Sequence, residues 1–248
     1  MHNRGVNPGE LEMTARSALV TGSSSGIGKA ICQKLLQAGF KVVGLARNHE
    51  KFNSDCSNYF PYSVDLSNSN ETTKILKKIL LQHPEINILV SNAGYGKFQS
   101  LENYSTKQIK EFIELNLIAH ILVCQFLVKH LKKNAGGDII IMGSEAAIFG
   151  KKKATLYSAA KFGLRGFSQA LREEVSSSGL RVSIVNPGMV RTPFFDELEF
   201  GPGENKENAI EANDVAKIVT EILTMRRGTM VEEVNLSPTK KVIKFGPS

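Results

Sequence analysis

Seven short apolar runs constrain this chain more than any other feature. They fall at 17–21, 41–46, 60–64, 86–91, 138–143, 181–186 and 231–236, and amphipathic helical patterns lie between them at about 27–38, 68–82, 106–133, 155–178 and 213–225. Runs such as KVVGLA, INILVS and DIIIMG lack polar alternation, which fits strands of a parallel sheet buried on both faces. Repeated strand–helix units predict an α/β fold. It is a Rossmann-type, doubly wound parallel sheet of about seven strands with helices on both faces, a three-layer αβα sandwich with right-handed crossovers.

With 248 residues, 42% of them apolar, the chain is long enough for one large domain, expected over 15–248. Residues 1–14 are polar and aperiodic and are expected to form a disordered extension. No run approaches 18 consecutive apolar residues and the start lacks an apolar leader core, so neither a membrane span nor secretion is expected. Cys32, Cys56 and Cys124 are odd in number and lack metal-ligand spacing. They read as reduced thiols of a cytoplasmic protein, and no metal site is expected. The net charge of +7 suits an anionic ligand, but the Lys and Arg residues are scattered without aromatic interleaving, which argues against nucleic acid. One polar stretch, DELEFGPGENKEN at 196–208, interrupts the pattern. It reads either as a mobile lid, spanning about 189–212, or as a plain surface excursion.

The turn after the first apolar run, VTGSSSGIGKA at 20–30, is glycine-rich and leads into a helix. A triphosphate loop requires G-x-x-x-x-G-K-[S/T]. Here Ser23 stands at the first glycine position and Ala30 follows Lys29, so that reading fails twice. The dinucleotide reading survives. Gly22 can make the tight turn, Gly26 and Gly28 permit close backbone approach, and the helix N-terminus offers N–H groups to a pyrophosphate. The spacing is G-x-x-x-G-x-G, however, and such a turn alone is also a plain strand–helix connection. The second strand ends in GLARN, with Ala46 where an acid would grip the adenosine ribose of NAD, and with Arg47 next. A guanidinium suits a 2′-phosphate, pointing to NADP(H), with Ser23 and Ser24 adding hydrogen bonds. An ordinary solvated arginine would look the same.

In GSEAAIFGKKKATLYSAAKFGL, residues 143–164, Tyr157 and Lys161 are four apart in a helical pattern and share one face. A neighbouring ammonium favours phenolate, so Lys161 is expected to lower the Tyr157 pKa from about 10. That arms Tyr157 as acid for carbonyl reduction or base for alcohol oxidation. Ser144 ends the preceding strand, where ligands collect in open α/β sheets.

With Thr21-Gly22-x-x-x-Gly26-Ile27-Gly28, Asn92-Ala93-Gly94, Ser144, Tyr157-x-x-x-Lys161 and Pro187-Gly188 in this order, the chain resembles a short-chain dehydrogenase/reductase from residue 17 to about 240. The resemblance implies an NADP(H)-dependent enzyme acting on CH–OH groups. Tyr157 would be the acid/base, Lys161 would hold the nicotinamide ribose, and Ser144 would orient the substrate oxygen. Asn116, in ELNLIAH, would hold a water of a proton relay. By itself a mid-helix Asn is a local irregularity. The cofactor would contact Gly22, Ser23, Ser24, Ser25, Gly26, Ile27, Gly28 and Arg47. Further along it would meet Asp65, Leu66, Asn92, Ala93, Gly94, Tyr157, Lys161, Pro187, Gly188, Val190 and Thr192. Asp65 alone reads equally as a carboxylate at a helix N-terminus. The family's usual Asn-Asn-Ala-Gly reads Ser91-Asn92-Ala93-Gly94 here, a mild departure.

The substrate side is less legible. Ser144, Tyr157, Tyr95, Phe149, Met189 and Phe194, with Phe98 and Phe195, are expected to line a partly apolar pocket. Lys151–Lys153 and Arg191 either attract an anionic substrate or acyl-carrier partner, or form a solvated face. EEVNLSP is similar to the tail of reductases of hydroxy acids and other small carbonyl compounds. A 3-oxoacyl-thioester reductase and a non-catalytic NADPH-binding regulator or scaffold remain alternatives. The resemblance also implies a homodimer or homotetramer. FIELNLIAHILVCQFLV, apolar over most of its circumference, suits either an interface or a buried helix.

Overall fold

The computed structural model describes residues 16–50, 52, 56–134 and 136–246, so the extension expected at 1–14 lies outside the described residues. The chain runs β1 (Ser17–Thr21), α1 (Gly26–Gln37), β2 (Lys41–Ala46), β3 (Tyr59–Ser63), α2 (Ser69–Gln82), β4 (Ile86–Ser91), α3 (Thr106–Ile113), α4 (Ala119–Lys133), β5 (Gly137–Met142), α5 (Thr155–Val175) and β6 (Leu180–Pro187). It continues through β7 (Val190–Arg191), β8 (Phe200–Pro202), β9 (Ile210–Glu211), α6 (Ala212–Thr224), β10 (Glu233–Leu236) and β11 (Ile243–Phe245). The main sheet has seven strands in the order β10-β6-β5-β4-β1-β2-β3, all pairing parallel. The expected Rossmann-type sheet is therefore present, and its seven strands are the seven apolar runs.

Strand alternation divides the core between the two faces. Ala18, Val20, Ile88, Val90, Ile140 and Met142 face α1 and α6. Leu19, Leu89, Ile139, Ile141, Val182 and Ile184 face α2, α4 and α5. Both sides of the central strands are dry, so these strands read as unbroken apolar runs. A buried ion pair closes the amino end of the sheet, where Arg181 Nε donates to Asp138 Oδ1 at 2.6 Å. Arg181 also donates to the carbonyls of Met225 and Thr229, tying the end of α6 to the sheet.

The helix expected over 106–133 is continuous in direction but interrupted in register by a π turn at Glu114–Ile118. A window of this run is apolar enough to cross a membrane by length and composition, with a mean hydropathy of 1.7. In the fold its apolar side packs against the sheet through Val123, Cys124, Leu127 and Leu131. Two pairings have no counterpart in the sequence pattern. β7 pairs in parallel with β9, and β8 pairs antiparallel with β11, so residues 200–202 of the expected lid form a strand with the C-terminal tail.

The order of the sheet reverses between β4 and β1, and the carboxyl ends of those two strands are stitched together. Thr21 Oγ1 accepts from the Asn92 and Ala93 amides at 2.8 and 3.0 Å, and Asn92 Nδ2 donates to the Thr21 carbonyl at 3.0 Å. The glycine turn lies against this stitch. Gly22 is left-handed (φ +67°), and a Cβ there would stand 2.9 Å from Asn92 Nδ2. A Cβ on Gly28 would overlap the Gly22 carbonyl oxygen, a backbone atom that cannot swing aside. Gly28→Ala is thus expected to destabilise the protein by about 1–3 kcal/mol, the range for overpacking. Chemical denaturation of the two proteins checks this; equal midpoints and slopes would contradict the contact.

Candidate active site

The glycine turn supplies an anion cradle. The Gly22 and Ser23 amides are used in the fold, both donating to the Leu45 carbonyl. α1 then begins at Gly26, and the first N–H groups of a helix have no partner within it. Ser25 is the N-cap residue but its side chain makes no capping bond. Ser23 needs correction. Its side chain is fully buried and its hydroxyl accepts from Tyr59 Oη at 3.4 Å, facing into the sheet, so it is not a hydroxyl offered to a cofactor. Ser24 and Ser25 remain at the surface of the turn.

Arg47 is exposed at the end of β2, and Ala46 before it is buried. The Arg47 charge acts on Asp65, whose carboxyl is held below its usual range chiefly by hydrogen bonds from Ser67, with Arg47 a smaller contribution. Asp65 Oδ1 accepts from the Ser67 amide at 2.9 Å and hydroxyl at 2.7 Å, while Asn68 caps α2. The alternative reading of Asp65 as the helix-terminal carboxylate is therefore replaced by a local turn. Leu66 is buried beside it. Glycines without room for a Cβ, a helix start and an exposed guanidinium on one edge fit a phosphorylated dinucleotide.

Asn116 lies in the π turn, the kind of register break that recurs at functional sites. Its side chain is fully buried. Nδ2 donates to the Phe112 carbonyl at 3.1 Å, and Oδ1 accepts the Tyr95 amide at 3.2 Å. A Cβ on Gly94 would stand 2.8 Å from that same Oδ1, so Gly94 lets the strand end close on the helix.

Lys161 is 4% exposed, and its ammonium donates to the Met142 carbonyl at 2.9 Å. Burial pulls its pKa down to about 8. The ammonium lies 5.8 Å from the centroid of the Tyr157 ring. Ser144 caps the short turn at 145–147, its Oγ accepting the Ala146 amide at 3.2 Å, and that turn packs on α5, the helix of Tyr157. The expectation that Lys161 lowers the Tyr157 pKa is not met in the free protein. Burial pushes the phenol up to about 12, the Ser144 hydroxyl opposes this, and the Glu145 carboxylate adds to it. Lys161 is engaged with a backbone carbonyl under the ring instead of at the hydroxyl.

Aromatic rings enclose Tyr157. Phe98, Phe194 and Phe112 lie at centroid distances of 5.2, 6.0 and 6.4 Å, and Phe200 packs on Phe98 at 5.1 Å. Gly96 leaves the space that the Phe194 ring fills. Tyr95 reaches this group through Phe112, and Phe195 through Phe194. Met189 is buried, its carbonyl accepting the Ile210 amide. Phe149 is a second correction. The short turn at 145–147 carries it away from the rings and leaves it 65% exposed. Thr192 packs over Gly26, bringing the segment after β6 onto the glycine turn, and Pro187 and Val190 are buried beside Gly188. Arg191 is engaged with Glu211 and with the Gly203 and Asn205 carbonyls, tying β7 to the 203–211 segment.

Four residues were not foreseen. Phe112 and Phe200 belong to the ring cluster. Glu145 sits next to Ser144. His120 is buried, with Nε2 at 2.8 Å from the Ala93 carbonyl and Nδ1 at 2.7 Å from Ser91 Oγ. A carbonyl only accepts, so Nε2 carries the proton and Ser91 donates to Nδ1. Burial first, and the Lys161 charge second, pull its pKa down to about 3, keeping it neutral. Ser91, the departure noted in the sequence, is thus the partner of a histidine. Phe112, Asn116 and His120 recur every four residues, a spacing visible in the sequence.

Comparison with known proteins agrees with this geometry. The profile of the short chain dehydrogenases matches residues 16–201. The chain is 31% identical over 225 residues to an uncharacterized oxidoreductase of Staphylococcus epidermidis, covering 89% of this chain and 96% of that one. It is 32% identical over 192 residues to a 3-oxoacyl-[acyl-carrier-protein] reductase of Buchnera aphidicola, covering 76% and 79%. An alcohol dehydrogenase of Thermococcus sibiricus, solved in complex with 5-hydroxy-NADP, superposes with a TM-score of 0.82 at 25% identity, covering 92% and 99%. A helix start free to meet phosphate and the Ser144 turn, packed against the helix of Tyr157 and the buried Lys161, stand on one sheet edge, in a chain that this profile matches over three quarters of its length: the protein belongs to the short-chain dehydrogenase/reductase family of oxidoreductases.

Proposed function

We propose that this protein is an NADPH-dependent oxidoreductase interconverting a carbonyl and a secondary alcohol, with Tyr157 as acid/base. The observation that carries the reading is the convergence of three side chains: Tyr157 and the buried Lys161 share one face of α5, with the ammonium 5.8 Å from the ring centroid, and α5 packs on the turn that Ser144 begins. Bound NADPH would supply the hydride. The chain's own residues do the rest. Ser144 and Tyr157 hold the substrate oxygen, Tyr157 gives or takes its proton, Lys161 would hold the nicotinamide ribose, and Asn116 would hold a water that links Lys161 to a proton relay. Ser24, Ser25, Gly26, Ile27 and Gly28 hold the pyrophosphate, and Arg47 the 2′-phosphate. Asp65, Leu66, Asn92, Ala93 and Gly94 line the adenosine side. Pro187, Gly188, Val190 and Thr192 line the nicotinamide side.

Residues 15–248 act as one domain, with 189–212 as lid. The rings of Phe98, Phe194 and Phe200 favour a small carbonyl compound, or a hydroxy or oxo acid, with an apolar group beside the reacting carbon. A 3-oxoacyl thioester is the second reading, supported by the likeness to the Buchnera reductase and by Lys152 and Lys153, exposed on the loop before α5. The working state is a cytoplasmic homodimer or homotetramer, supported by Ile118 (40% exposed) after α3 and Phe162 (44% exposed) on α5.

Tyr157→Phe should lower kcat by about 10²–10⁴-fold, the usual share of a positioned acid/base. Its NADPH affinity should stay near that of the parent. NADPH oxidation against ketones, aldehydes, 3-oxo acids and 3-oxoacyl thioesters measures the first and fluorescence titration the second; unchanged turnover would sink the mechanism. Arg47→Ala should weaken NADPH binding by about 10–100-fold, the worth of charge-assisted hydrogen bonds, and leave NADH nearly untouched. Equal losses for the two cofactors would remove the 2′-phosphate assignment.

A further inference from the structure

The C-terminal tail reaches the catalytic turn as well as the lid. Its backbone clasps the lid along one line. β11 pairs with β8, the Lys240 carbonyl accepts from Asn208 Nδ2 at 3.0 Å, and the Val242 carbonyl accepts the Gly203 amide at 3.0 Å. Lys240 also pairs with Glu207 at 2.7 Å, and Lys244 with Glu204 at 2.6 Å. Between the two backbone contacts, the Lys241 side chain turns the other way and its ammonium donates to Glu145 Oε2. The other oxygen of Glu145 accepts from Lys151 at 2.7 Å. Glu145 directly follows Ser144, and its Oε2 would lie 3.5 Å from a Cβ on Gly188. The carboxylate therefore sits between the serine that holds the substrate oxygen and the Pro187-Gly188 turn.

We propose that Lys241 is a positioning residue acting through Glu145: while the tail is clasped on the lid, its ammonium holds and neutralises the carboxylate next to Ser144, on the turn packed against the Tyr157 helix, so that the tail and the acid/base are coupled. The inference rests on the reading of Tyr157 as acid/base. The groups facing Tyr157 are few. Lys161 comes from its own helix, and Ser144 and Glu145 from the turn after β5. The loop after β4, α3 and the lid present Phe98, Phe112 and Phe194. Among the described residues, the cations on Glu145 are Lys151 and Lys241. A carboxylate beside a phenol opposes its ionisation, and Glu145 acts on Tyr157 in that sense. An ammonium on that carboxylate relieves the opposition. Opening the tail would leave Glu145 with Lys151 alone and hold Tyr157 protonated.

The sign differs between the two partners, and a merely structural role would not reproduce that. The pH dependence of kcat for alcohol oxidation gives the midpoint of Tyr157. Glu145→Gln should move it down and Lys241→Met up, each by about half a unit. Lys241→Arg should restore the parent profile, and the double variant Glu145→Gln/Lys241→Met should behave as Glu145→Gln alone. Midpoints that coincide with the parent's in both single variants, while Tyr157→Phe is inactive, would overturn the coupling and leave the function standing. Turnover surviving in Tyr157→Phe would instead overturn the functional reading. The tyrosine ring-carbon NMR signal missing from Tyr157→Phe, titrated in the protein saturated with NADP+, reads the same opposite shifts without turnover. Its failure to move would overturn the inference on its own.

Discussion

The site depends on the stitch between Thr21 and Asn92. β1 and β4 are neighbours whose onward chains leave to opposite sides of the sheet, which opens a crevice between their carboxyl ends. Without a tie, the Gly22 turn and the Asn92–Gly94 segment would be free to splay. One threonine hydroxyl accepting two amides, with the Asn92 amide returning to the Thr21 carbonyl, fixes their separation. Asn92 Nδ2 also bounds the space at Gly22 and Gly28, so the stitch forces glycine at both positions. That forced bareness makes the turn an open cradle.

The same edge carries the strained electrostatics. Lys161 is a buried ammonium with one carbonyl for a partner, Tyr157 a phenol held neutral by burial, and His120 an imidazole held neutral under the Ala93 carbonyl. None of these arrangements favours folding, since burial disfavours each charged form. They are tolerated because the sheet behind them is packed on both faces by long aliphatic side chains. The π turn belongs to the same pattern. It gives up helix register around Asn116 so that an amide can serve both the Phe112 carbonyl and the Tyr95 amide.

Much of this was legible in the sequence. The strand runs are unmistakable where both faces are buried, as in DIIIMG, and their ends match to within about two residues, the usual uncertainty of element boundaries. The order of motifs pointed to the family that the profile match shows, and the structure brings the glycine turn and Ser144, Tyr157 and Lys161 to one edge of the sheet. Side-chain direction was not legible. Ser23 looks like a phosphate ligand in a string of serines, but the turn at Gly22 faces it inward to Tyr59. Phe149 looks like a pocket residue by its distance from Ser144, but a short turn carries it outward. Four-residue spacing sets a shared face, not which end of the ring the ammonium meets, so the place of Lys161 under the Tyr157 ring has no sequence signal. The β8–β11 pairing was invisible, since neither segment has a strand's alternation and the partners lie about forty residues apart.

The most direct test of the central claim follows a label. The protein is supplied with NADPH carrying deuterium on the transferable position of the nicotinamide and with a panel of carbonyl compounds, and the products are weighed by mass spectrometry. An alcohol with one deuterium on its carbinol carbon is the predicted result. A protein that binds NADPH tightly yet leaves the label on the nicotinamide with every compound would contradict it, and would make this site a sensor of the cofactor instead of a catalyst.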